Sequence, residues 1–161
     1  MADVKVIDVK ADTVEEFMKN AASKVAEGGE LGITNPVISL KWTLTHGKIS
    51  KVDCALKVSI KRPRLSGGNP DDHNKEAIEQ IVELIKNHEA KHEQLAKDIC
   101  DREFPKAKKA LVGKTEKDGK DTHEAIKKMV SDAYKALDKK EGKISPTRNA
   151  DGSFTIKQEG I

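Results

Sequence analysis

The spacing of apolar residues changes several times along the chain, and each change predicts an element. Val4, Val6, Ile7 and Val9 fall close together in a short β-branched run that reads as a strand. Val14, Phe17, Met18, Ala21, Ala22 and Val25 then recur at three and four residues, the signature of a helix with one apolar face. Asp12 with Glu15 three residues on supplies its N-cap, and Gly28 with Gly29 its end. Ile38, Leu40, Trp42 and Leu44 alternate with polar residues, as do Val52, Cys54, Leu56, Val58 and Ile60, so two half-buried strands are expected. The His46-Gly47-Lys48 turn joins them as a hairpin, and Pro63 stops the second.

The longest periodic stretch follows. Ile78, Ile81, Val82, Ile85, Leu95, Ala96 and Ile99 form the inward stripe of a helix expected from about His73 to Arg102, with Asp71 and Asp72 at its positive end and Pro105 beyond its stop. Lys106 to Leu111 adds a turn or two, residues 113–120 read as a polar loop, and a second helix begins near Asp121 with Ile126, Met129, Val130, Ala133 and Leu137 on its stripe. The tail 143–161 is expected to be a hairpin or a loose end around Phe154 and Ile156. These elements predict an α+β fold in one domain over 1–161. Its small, mainly antiparallel sheet packs against the long helix and the second, C-terminal helix.

Three residues break the stripe of the long helix with chemistry. His88, Glu89 and His92 make an intact HExxH, and the two histidines continue the apolar face instead of lying opposite it. Imidazoles at i and i+4 are one turn apart on one side of a helix, close enough for both to bind one zinc at about 2.0–2.1 Å. Glu89, one position on, can then take a proton from zinc-bound water. The bland alternative, a charged surface helix with two solvated histidines, would put both on the polar face.

Composition narrows the partners. The 30 basic and 27 acidic residues among 161 are interspersed and leave a net charge of +3, without the single-sign field that nucleic acid or an anionic membrane would select. With 3% aromatic and 35% charged residues, the core must be aliphatic and the surface heavily solvated. No apolar run approaches the roughly 18–20 residues of a membrane span, and the first residues lack a signal peptide's pattern, so a soluble chain is expected. Cys54 and Cys100 are the only cysteines, which excludes a cysteine zinc site and leaves one internal disulfide as the minor alternative to a packing role.

In this order, the elements resemble a bacterial family of unknown function described as predicted secreted zinc-dependent proteases, grouped with the HExxH zincin peptidases. The similarity runs through Asp8 to Glu16, Leu40 to Trp42, Ile49 to Pro63 and His88 to His92, within roughly residues 6–125. It implies a zincin-like fold, a zinc metallopeptidase activity on peptide or protein substrates with Glu89 as general base, and an exported protein. A zincin needs a third protein ligand. His123 is favoured, because Asp118 to His123 loosely resembles the family's downstream histidine motif. Glu124 would imitate a gluzincin's glutamate, and Glu141 falls near the family's spacing. Asp98 stands where metzincins place a ligand, but with Leu95 in place of the required glycine it projects away on an unbroken helix. Tyr134, the only tyrosine, is read chiefly as packing and secondarily as an oxyanion donor. In related zincins a sheet edge holds the peptide as an added strand. The rival from another class is a non-catalytic binding or scaffold domain with a structural metal or none.

Overall fold

The computed structural model describes residues 2–161. The elements run β1 (Asp3–Val9), α1 (Val14–Val25), β2 (Ile33–Thr45), β3 (Lys48–Leu65), α2 (Asp72–Leu111), α3 (Glu116–Glu141), β4 (Lys143–Arg148) and β5 (Phe154–Glu159). The architecture is α+β, as the alternation of periods predicts. The β2–β3 hairpin forms on the expected turn, where His46 and Gly47 both adopt positive φ, at 52° and 77°, as a two-residue connection between twisted strands requires. The sheet is mixed, in the order β1-β3-β2: β2 pairs antiparallel with β3, and β1 lies parallel to β3 on its other side.

Several boundaries differ from the periodicity, each for an identifiable reason. Pro63 does not stop β3, because β2 begins opposite Lys61 and Pro63 has only β1 beside it, with Ile7 as its partner. At such a half-edge position a missing N–H costs no ladder bond on the open side. Helix α1 is capped by Thr13, whose side chain accepts from Glu16 N, one residue after Asp12. Helix α2 runs for 40 residues, about 60 Å at 1.5 Å per residue, with Pro105 inside it. Phe104, Ala107 and Leu111 pack into the core around that proline, which offsets the roughly 3 kcal/mol that an interior proline costs. Helix α3 begins at Glu116, five residues before Asp121, on a capping box in which Thr115 and Asp118 satisfy each other's backbone N–H groups. The segment read as a polar loop is therefore helical from Glu116, and its Gly119 is a packing position. A Cβ there would lie 3.0 Å from the Trp42 ring.

The tail folds as the β4–β5 hairpin, paired from Lys143–Glu159 to Arg148–Phe154. Two apolar clusters share α2 between them. The first half of α2, through Ala77, Ile78, Ile81 and Ile85, packs with α1, Val9 and the apolar side of the hairpin. The second half, through Ala96, Ile99, Cys100, Ala107 and Leu111, packs with β2, β3 and the stripe of α3. The start of α1 is tied to the start of α2 by a buried bond from Val14 N to Asn74 Oδ1 of 3.0 Å. Cys54 and Cys100 are free thiols in the second cluster, and burial pushes the Cys100 thiol up to about 11. Among the described residues no helix is long and apolar enough to cross a membrane.

Candidate metal centre

The two clusters leave a seam on α2 between Ile85 and Ala96, and the histidines occupy it. Both Glu89 and His92 are buried, at 4% and 5% exposure, where apolar residues would complete the stripe. Opposite this seam stands the last part of α3, which presents Tyr134, Asp138 and Glu141 on successive turns. The loop before β2 crosses close over Glu89. At Gly32 a Cβ would sit 2.7 Å from Ile85 Cγ2 and 2.9 Å from Glu89 Oε2, so only glycine admits the backbone there. Together with Lys143, Ile144 and Gln158 of the hairpin these elements wall a cavity of about 430 Å³.

Three donor atoms converge at its floor. Asp138 Oδ1 lies 2.9 Å from His88 Nε2 and 2.8 Å from His92 Nε2, and the two nitrogens are 3.1 Å apart. A tetrahedral ion with bonds of about 2.0–2.1 Å separates its ligands by about 3.3–3.4 Å, close to the spacing of these three atoms. His88, His92 and Asp138 thus form a group that can hold a metal ion. The other face of His88 supports that use. Its Nδ1 contacts Glu141 Oε1 at 3.2 Å, and a proton donated there leaves the Nε2 lone pair aimed at the group. Glu141 is itself gripped by Lys91 Nζ at 2.9 and 2.8 Å. Burial alone would raise the Glu141 pKa, but the bonds from Lys91 and His88 outweigh it and hold the carboxyl below its usual value.

Electrostatics at the seam follow from desolvation. Burial raises the Glu89 pKa, against the opposing bond from Thr34, whose Oγ1 donates to Oε1 at 3.0 Å. Burial likewise lowers the His92 pKa, with Asp138 pulling the other way. Tyr134 sets its ring edge-on to His92, 4.2 Å between centroids, and its buried hydroxyl has no partner among the described residues. Its place in the second cluster makes it a support for His92.

His88, Glu89 and His92 come together as their spacing requires, but the structure does not bring His123 to them. His123 Nε2 lies 2.6 Å from the Ile38 carbonyl oxygen, fifteen residues and so about 22 Å up α3 from Asp138. Glu124 pairs with Lys127 on the exposed side of α3, and Asp98 with Gln94 on α2. Glu141 reaches the site as a partner of His88. Asp138 is the donor that sequence reasoning missed. Its only signal is that it stands one turn after Tyr134 and three residues before Glu141 on the same helix.

A family model matches residues 4–144, most of the chain. The chain belongs to DUF922, a family of bacterial proteins of unknown function. No curated protein and no solved structure matches it. The span shared with DUF922 includes all five groups of the site, His88, Glu89, His92, Asp138 and Glu141, and closes at Ile144, the second residue of β4.

Proposed function

We propose that this DUF922 chain is a zinc-dependent metallopeptidase, with His88, His92 and Asp138 holding the ion and Glu89 serving as general base. The observation that carries this reading is the meeting of two imidazoles and one carboxylate at 2.8–3.1 Å beside a buried glutamate on the wall of a cavity. A donor set of two histidines and a carboxylate suits zinc and leaves a fourth position open. Glu141, which would close the site if it ligated, is instead engaged by His88 Nδ1 and Lys91. A zinc ion held there supplies Lewis acidity, polarising a substrate carbonyl and acidifying water at neutral pH.

The chain's own residues do the rest. Thr34 fixes Oε1 of Glu89, so Oε2 is the atom that takes the proton from the attacking water and later returns it to the leaving nitrogen. Elemental analysis of the purified protein is expected to find about one zinc per chain. Glu89→Gln keeps the size of the side chain and the ligands, so zinc content should stay parental while hydrolysis of unfolded protein falls by about 10²–10⁴-fold. Parental hydrolysis by Glu89→Gln, or a parent without zinc, overturns the reading. The rival, a scaffold with a structural metal, expects full zinc and no hydrolysis by the parent.

A further inference from the structure

A second cavity, of about 360 Å³, adjoins the first between β2 and α3, and Thr34, Tyr134 and Asp138 line both. The two cavities thus share a wall beside the metal group. The main chain of β2 offers little to a strand there. Pro36 has no N–H, and the Ile38 carbonyl already accepts from His123 Nε2 at 2.6 Å. Side chains supply further polar groups along it, on Asn35, Lys127, Ser131 and Lys135.

The cavity has an apolar floor and a cationic rim. Pro36, Ile38 and Val130 supply the floor, and Lys127 and Lys135 stand at the rim on one face of α3. The one carboxylate among its lining residues, Asp138, is engaged with both histidines. Lys127 pairs with Glu124 at 3.0 Å, but both side chains are largely exposed, at 49% and 70%, so that pair holds the amine only weakly. The first cavity is richer in carboxylates, with Glu30, Glu89 and Glu141 on its walls beside Lys143.

We propose that the second cavity is a specificity subsite for an acidic side chain, glutamate or aspartate, of the peptide whose backbone lies across the metal group. This rests on the peptidase reading. The methylenes of the side chain cover Pro36, Ile38 and Val130, and its carboxylate meets an amine at the rim, Lys127 or Lys135. His123 occupies one acceptor of the β2 edge, the Ile38 carbonyl.

The test uses the zinc-loaded protein, a peptide library of fixed length varied at one position at a time, and the double variant Lys127→Glu/Lys135→Glu. Both lysines are exposed, so zinc content and melting temperature should stay parental. Cleavage by the parent is expected to favour an acidic residue at one position near the scissile bond by about five- to tenfold, and the double variant to invert the preference toward lysine. Cleavage without that preference, or with a preference the variant leaves unchanged, overturns the subsite and leaves the peptidase standing. Fluorescein-labelled peptides bearing glutamate or lysine, titrated into zinc-loaded Glu89→Gln protein, read binding without turnover. If the parent cleaves nothing yet the acidic peptide binds and the lysine variant releases it, the subsite stands and the peptidase reading falls. Neither cleavage nor binding overturns both.

Discussion

Replacing Asp138 with alanine tests the ligand set most directly. Its Oδ1 lies 2.8 and 2.9 Å from the two imidazole nitrogens, and it is the only one of the three donors supplied by α3. Without it, two nitrogens on one helix face remain, and the ion gains solvent where it had a charged oxygen. Removing a group that merely orients a ligand costs 10–100-fold in metal affinity. Losing a ligand should cost at least the upper end of that range, so Asp138→Ala is expected to raise the zinc Kd by about 100-fold or more, or about 2.7 kcal/mol. Competition against a chelator of known affinity measures it. His123→Ala, made in parallel, should leave the Kd within about twofold, because that ring bonds the Ile38 carbonyl about 22 Å along α3 from Asp138. Parental affinity in Asp138→Ala, or a large loss in His123→Ala, would refute the assignment.

Glu141→Gln should cost the 10–100-fold expected of a partner that fixes a ligand's tautomer, read in the same competition assay. Thr34→Val leaves Glu89 Oε1 buried without its donor and should destabilise the protein by about 1–3 kcal/mol, with Thr34→Ser restoring most of it in urea denaturation. Gly119→Leu drives a side chain into Trp42 and Ile49 and should cost about 1–3 kcal/mol, seen as a lowered melting temperature. The metal-free protein should lose stability on acidification. Burial holds the His92 pKa below its ordinary 6.5, so as pH falls past that value the unfolded chain takes the proton first, and the loss continues down to the folded pKa. Glu89 opposes this from its raised pKa down toward 4.5, because there the folded chain takes the proton first. A pH series of melting curves should show the His92 slope flattened in His92→Asn. Unchanged slopes would place the titrating group elsewhere.

The parts of this fold that could be read beforehand are those where one short-range pattern decides. The alternation through Leu40, Trp42, Leu56 and Val58 placed the hairpin, and the three-four spacing from Ile78 to Ile99 placed α2 and put His88 and His92 on its inward side. Where a local signal met a tertiary contact, the contact won. Pro105 reads as a stop but lies inside α2, and Gly119 reads as a loop but lies beneath Trp42 in α3. The capping box at Thr115 and Asp118 was present in the sequence and outweighs the glycine that follows it. Asp138 was out of reach for a different reason. Twenty-seven acidic residues compete for the role, and only the packing of α3 across α2 selects one. Parallel addition of β1 to β3 is a long-range pairing that no spacing within Val4 to Val9 encodes.

The β4–β5 hairpin lies across the end of the span that the family describes. Every group that bears chemistry lies within residues 4–144, the span described by the family, whereas Gln158 and Ile161, which line the cavity from the far side, lie beyond it. The group that can hold a metal ion and part of the wall around it thus come from different stretches of the chain. Exchanging the hairpin would leave His88, His92 and Asp138 in place and change the wall that faces them.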